Sequence, residues 1–241
     1  MRKPAFLFAI AVGVVFSPPA LAEDPDPVTL LKDMSSSIAA TSQFVIHGST
    51  YADRRLDEGQ MIEHGSKVTV HLQRPGSLRL TREDTVEVKE IIVNDGVLTV
   101  SMQPRNFYTE ADVPEGLEQA VEFAIDELGM DAPLMDLLME DVADNLTQDA
   151  TNVNYLGTTL VRGTAHHHVG IRGPEIDVQV FIPTEGDPLP GKIVMTSKWE
   201  GGAPRFIAVL DWDTNPEMAA DAFDFTPPEG AVKIEFVPEL N

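Results

Sequence analysis

The chain has 241 residues, 39 acidic against 17 basic side chains, a formal net charge of −22 and no cysteine. Lack of cysteine excludes disulfides, thiol catalysis and thiolate metal sites, and the acidity disfavours nucleic acid and anionic lipid surfaces as partners. A solvated acidic surface is its simplest meaning, and a chain of this length can bury a core without covalent staples.

Arg2 and Lys3 precede an apolar run, Ala5 to Phe16, and Ala20-Leu21-Ala22 supplies a small-x-small pattern before Glu23. This layout predicts a secretory signal peptide over residues 1–22, cleaved after Ala22. About a dozen apolar residues are too few to span a bilayer. No cysteine follows them to carry an acyl anchor, so no stable membrane anchor is expected. No Ser/Gly-rich or Pro-rich linker interrupts residues 23–241, which predicts a single domain.

After an acidic, proline-broken stub, Leu30, Leu31, Met34 and Ile38 mark one face of a helix. Pro27 sits near its start, where a missing donor costs little. From Gln43 the period changes to two. Phe44 and Ile46, then Val68, Val70 and Leu72, then Leu78 and Leu80 alternate with polar residues, as half-buried strands do. Arg74-Pro75-Gly76 breaks this series as a turn. Ile91–Val93 and Val97–Val100 flank Asn94-Asp95-Gly96, whose residue types accept the positive φ angles of a tight hairpin. Pro104 to Tyr108 leads to a further strand or turn.

Pro114 to Leu146 is the one central stretch that reads as helix. Leu117, Ala120, Val121, Ala124, Ile125 and Leu128 recur at three- and four-residue steps. After a break at Gly129–Pro133, Leu134, Met135, Leu137, Leu138, Met139 and Val142 predict a second helical face. A helical pair between two strand-rich halves must lay its apolar side on a sheet. Periodicity leaves two arrangements open: a permanent layer of core, the commoner fate, or a lid over a hydrophobic hollow.

Val153–Val161 and Ala165–Arg172 predict a hairpin closed at Arg162-Gly163. Ile176–Ile182, Lys192–Ser197 and Pro204–Trp212 predict three more strands, the last with Phe206, Ala208 and Leu210 on one face. About ten strands joined by short turns indicate an antiparallel sheet, and with the helices an α+β fold.

Candidate chemistry is sparse. His166 and His168 would share one face of a strand and His167 the other, so two could meet a cation. No His-Glu-x-x-His or comparable pattern supplies a third ligand, and a structural role for the histidines is expected, with no metal. Asp211-Trp212-Asp213 and Glu140-Asp141 with Asp144 lack the alternating oxygens and central glycine of a calcium loop. There is no nucleophile elbow, P-loop or dinucleotide fingerprint. The expectation is a protein that is not an enzyme and needs no cofactor.

Several blocks resemble the periplasmic lipoprotein carrier LolA and its relatives. Arg74-Pro75-Gly76-Ser77-Leu78-Arg79-Leu80 is similar to that family's Arg-Pro-x-x-Phe/Leu segment, and Val93-Asn94-Asp95-Gly96-Val97-Leu98 to its Asp-Gly hairpin. Ala222-Phe223-Asp224-Phe225-Thr226-Pro227-Pro228-Glu229-Gly230-Ala231-Val232 resembles its Phe-x-Phe-x-Pro-Pro-x-Gly-Val ending. A closer likeness is to predicted periplasmic proteins of domain of unknown function 2092, through Pro133–Leu138, the His167-His168 strand and Pro188–Lys192.

The carrier resemblance implies a LolA-like fold: a curved, unclosed antiparallel half-barrel covered by an N-terminal helix and a central lid over residues 114–146. Leu117, Val121, Ile125, Leu134, Met135, Leu138 and Met139 would then line a cleft for a hydrophobic or acylated ligand. Arg74 would match the family's arginine that latches the lid backbone. The flexible, polarizable Met135 and Met139 suit a weakly specific apolar surface. The function this implies is a periplasmic carrier or chaperone that binds lipid without catalysis. The alternatives are an envelope sensor that uses the fold to bind a protein partner, and a metal-dependent hydrolase built on the histidines. The low aromatic fraction of 7% and the heavy acidity depart from the carriers.

Overall fold

A computed structural model describes residues 24–130, 134–199 and 201–235. The expected signal peptide and its cleavage site lie outside the described residues. Helix α1 (Pro27–Ala40) begins at Asp26, whose carboxylate accepts hydrogen bonds from the Thr29 backbone N–H at 2.9 Å and its hydroxyl at 2.7 Å. Such a cap satisfies one of the orphan donors of the first turn. Leu31, Met34 and Ile38 are fully buried and Leu30 partly so, as the helical spacing requires.

Twelve strands form one sheet among the described residues. They are β1 (Gln43–Arg55), β2 (Met61–Gln73), β3 (Ser77–Glu83), β4 (Val88–Asn94), β5 (Val97–Gln103), β6 (Phe107–Asp112), β7 (Asn152–Val161), β8 (Thr164–Arg172), β9 (Ile176–Pro183), β10 (Lys192–Ser197), β11 (Arg205–Asp213) and β12 (Val232–Lys233). Their spatial order is β12-β6-β5-β4-β3-β2-β1-β11-β10-β9-β8-β7, a linear series whose two ends do not pair, so the sheet is unclosed. All pairings are antiparallel except that of β12 with β6. Twelve strands exceed the expected ten partly because β12, two residues in a proline-rich tail, has no alternation to read.

The turns form where the residue types allow them. Asp95 and Gly96 have φ of 49° and 75°, and Arg162 and Gly163 have 49° and 85°, the left-handed pairs that match the twist of hairpin strands. On the inner face, Phe44, Ile46, Val68, Val70, Leu72, Leu78, Leu80, Ile91, Val93, Leu98 and Val100 from one wing join Val169, Ile171, Val178, Val180, Ile182 and Ile193 from the other in one buried cluster with the helices. Laid flat, twelve strands would be about 50 Å across. A few short helices could not bury that width, so the sheet curls around them.

The central stretch departs from the expected pair of helices. It holds one ten-residue helix, α2 (Leu117–Asp126), then a 3₁₀ turn (Met135–Leu138) and the six-residue α3 (Val142–Thr147). Leu134, Met135, Leu137, Leu138 and Met139 are all buried, a run wider than one face of an α-helix. A 3₁₀ turn followed by extended backbone at Met139 (ψ 157°) lets them all insert, which one face of an α-helix cannot do.

The C-terminal segment crosses the outer face of the β3–β6 wing. Arg79 Nη1 donates to the Ala222 carbonyl at 2.9 Å, Phe223 is buried, Tyr108 packs on Phe225 at 5.3 Å, and Asn106 Nδ2 donates to the Glu229 carbonyl. Beside it, His71 Nδ1 is buried without a partner. Burial, with His47 and Arg79 on the same face, holds the His71 imidazole below its ordinary 6.5. The unfolded chain therefore binds this proton more readily, so the contribution is intact above about pH 6.5 and lost as pH falls below it. The carboxylates of Asp26 and Asp84, held low by hydrogen bonds to backbone N–H and hydroxyl groups, lose their contribution only in more acid solution. Urea midpoints at pH 7.5 and pH 5.0 should differ less in His71→Gln than in the unaltered protein; equal differences would remove His71 from the pH response.

Candidate functional site

The β2–β3 turn holds both parts of the central cover. Its Pro75 carbonyl accepts from Leu117 N–H at 2.8 Å, a first-turn donor of α2 that no intrahelical carbonyl can satisfy. Arg74 Nη2 donates to the Leu138 carbonyl at 3.0 Å, at the end of the 3₁₀ turn, while its backbone N–H donates to Ser42. Arg74 Nε is buried without a partner. Ser35 of α1 adds a third tie, donating to the Glu140 carbonyl at 3.1 Å and accepting from Ala143 N–H at 3.3 Å. Glu118 of α2 accepts from Glu140 N–H at 2.5 Å.

The candidate lining residues divide into three sets. Leu117, Val121, Met135, Leu138 and Met139 are packed in the common core with the sheet. Ile125, expected on the same face, is 37% exposed, because Leu117, Ala120, Val121 and Ala124 centre the buried arc on its other side. Leu134 alone borders a cavity of about 300 Å³ on the inner face. Its other walls are Thr50, Ala52 and Arg54 of β1, Val68 of β2, Leu80 and Arg82 of β3, Lys89 and Ile91 of β4 and Phe206 of β11. A second hollow of about 420 Å³ shares Thr50, Ala52, Arg54, Arg82 and Phe206 with it and extends toward His64, Asp84, Glu87 and Arg105.

The charged walls were beyond the apolar patterning. Arg54 follows Thr50 and Ala52 at the two-residue step, Arg82 follows Leu78 and Leu80, and Lys89 precedes Ile91 and Val93. Extending each alternating series past its last apolar member would have placed all three on the inner face. Asp53, also at the rim, is committed to Arg205, accepting from its backbone N–H at 3.0 Å and from Nε at 3.2 Å.

The histidines do not converge. His166 Nδ1 meets the Thr164 carbonyl at 2.9 Å, His167 Nδ1 meets the Tyr155 hydroxyl at 3.1 Å, and His168 Nε2 meets Gln179 Oε1 at 3.0 Å. His168 also stacks on Phe181 with centroids 4.3 Å apart. Among the described residues no group of three or more His, Asp or Glu side chains is placed to hold a metal ion. Asp211 and Asp213 flank Trp212, which faces the core against Phe44 at 5.0 Å and donates to the Pro190 carbonyl.

Residues 28–237 match the family described as predicted periplasmic protein (DUF2092). The chain belongs to this family. No curated protein matches it in sequence. Among solved structures, it is similar to LprF from Mycobacterium bovis, with 11% identity and a TM-score of 0.48, over 83% of this chain and 98% of that one. It is similar to the lipoprotein LppX of Mycobacterium tuberculosis, with 12% identity and a TM-score of 0.44, over 79% and 97% of the two chains. A LolA superfamily protein from Nitrosomonas europaea is similar at 10% identity and a TM-score of 0.43, over 84% and 99%. No helix of the described residues of this DUF2092 member is long and apolar enough to cross a membrane.

Arg74→Ala should leave the buried Leu138 carbonyl without its donor, a loss of about 1–2 kcal/mol. Hydrogen exchange should then quicken over residues 134–143 more than in α1. Uniform acceleration, or none, would show that the guanidinium does not hold the cover.

Proposed function

We propose that the protein is a periplasmic, non-enzymatic binding protein that holds a hydrophobic or acylated ligand on the inner face of its curved sheet. The observation that carries this reading is the cavity bordered by Val68, Leu80, Ile91, Leu134 and Phe206, which the described residues leave open. At about 300 Å³ it lies at the lower end of small-molecule sites. It is about twice an engineered apolar cavity that stays dry and accepts benzene. One acyl chain fits this scale, and a multiply acylated lipid does not.

Binding would come from apolar burial at about 0.8 kcal/mol per methylene. Affinity should therefore rise about fourfold with each added methylene until the cavity is full, then level off. Native mass spectrometry of protein purified without detergent should show a co-purifying acyl species. Ala52→Phe, which fills the cavity from β1, should abolish uptake of a fluorescent fatty-acid probe, and Ile125→Ser on the exposed side of α2 should not. Protein that is empty and takes up no probe would make the hollow a packing gap.

A second reading, docking of an envelope protein, rests on a different observation. Strand β7 ends the sheet, and Leu156 and Leu160 on it are 53% and 71% exposed. A free strand edge with exposed apolar side chains can take up an added strand. Loss of a captured partner in Leu160→Asp, with probe uptake intact, would favour it.

A further inference from the structure

The exposed apolar side chains gather at one end of the sheet. In an antiparallel sheet built of hairpins every second turn lies at the same end of the strands. Here the turns β5–β6, β3–β4, β1–β2, β10–β11 and β8–β9 follow one another along one rim. Each has one large apolar side chain turned to solvent: in that order Phe107, Val86, Leu56, Trp199 and Ile176, with Val86 77% and Trp199 58% exposed. Among the described residues, the hairpin turns at the opposite end have only Leu160 beside them. A single exposed apolar residue needs no explanation, but one on each of five successive turns does. At the centre of the series two tips touch, where Arg55 Nη1 donates to the Gly201 carbonyl at 3.5 Å and brings the Leu56 and Trp199 turns side by side.

The charge of the chain changes at the same place. Residues 53–63, 82–89, 103–107, 172–177 and 197–205, which build these turns and the strand ends beside them, carry ten acidic and eight basic side chains. The rest of the chain carries 29 acidic and nine basic ones. At the rim the two signs pair: Arg82 with Asp84 and Arg105 with Glu87 at 3.5 Å, Lys198 with Asp177 at 3.0 Å, and Arg205 with Asp53 at 3.2 Å. The rim is thus close to neutral, and the body behind it is strongly acidic. A basic partner gains little from a charge-balanced surface and is drawn to the body instead. A bilayer interface accepts apolar tips, Trp above all, while anionic head groups repel the acidic body and keep it turned away.

We propose that this rim docks reversibly on the surface of a lipid bilayer, with Leu56 and Trp199 leading and Val86, Phe107 and Ile176 flanking them. Both hollows beside β1–β4 reach this rim, one through Arg54 and Phe206 and the other through Thr85 and Val86, so the docked protein turns their mouths toward lipid. The docking goes beyond the acyl reading and stands without it. Where both hold, it is the step at which a chain passes between bilayer and hollow.

The test floats the purified protein with phosphatidylcholine vesicles through a density gradient. The protein should rise with the vesicles, and the double variant Leu56→Ser, Trp199→Ser should lower its partition coefficient about tenfold. Both side chains are exposed, so the melting temperature should not change. Leu160→Ser, at the opposite end, should leave partitioning within twofold. Phosphatidylglycerol added to the vesicles should not tighten binding. Binding that needs phosphatidylglycerol and vanishes in high salt, or that survives the double substitution, would overturn insertion by this rim. No binding to vesicles of either composition would overturn the bilayer as its occupant and leave the rim to a protein partner. Ala52→Phe separates the two readings, because it closes the hollow without touching the tips and should float as the unaltered protein does. Flotation without fatty-acid probe uptake by the unaltered protein would strike the acyl reading alone, and probe uptake without flotation the docking alone.

Discussion

A sheet that curls without closing has an inner face that only other parts of the chain can cover. Here the cover is two short helices and a 3₁₀ turn, and the β2–β3 turn ties it down at two points. Leu117 N–H bonds the Pro75 carbonyl and Arg74 bonds the Leu138 carbonyl, so adjacent residues of one turn hold the start of α2 and the end of the 3₁₀ segment. Ser35 ties the following residues to α1. Each bond is modest in net worth, about 1 kcal/mol. Their role is positional: they fix which apolar side chains face the sheet and where coverage stops.

Among the described residues of the cover, Leu134 is the one that borders the hollow. On the inner face, the row of Val70, Leu80 and Ile91 is followed by one in which Arg82 and Lys89 lie beside Val68. An uncovered apolar row would be an exposed greasy patch, a hazard for association. A cationic row at the boundary keeps the mouth hydrated while leaving the apolar wall behind it. The composition of the strands and the extent of the cover are thus two parts of one arrangement.

The strands were legible because one face of each is buried and the period of two is strict, as in Val68, Val70 and Leu72. Turns were legible where the backbone demands particular residues, at Asp95-Gly96 and Arg162-Gly163. Other features were hidden for physical reasons. Leu134, Met135, Leu137, Leu138 and Met139 form an apolar run too dense for helical periodicity to distinguish a 3₁₀ turn from a helix. Ile125 lies at the edge of the buried arc, where a step of four residues no longer guarantees burial. The cavity wall escaped notice because it combines residues from five strands and the cover, including cations that hydrophobic patterning passes over.

The energetics of the cover also decide how a ligand would reach the hollow. Lifting it would expose Leu117, Val121, Leu134, Met135, Leu137, Leu138, Met139 and Val142, all now buried. At about 1.5–3 kcal/mol for each large side chain, that costs on the order of 10–20 kcal/mol. A whole domain is stable by only about 5–15 kcal/mol, so raising the cover as a unit is comparable to unfolding. Entry at the Leu134 end, past Arg54 and Arg82, exposes none of the α2 side chains. On the proposed reading, a ligand would therefore be admitted at the strand ends beyond α2, while the buried helical side chains keep the cover in place.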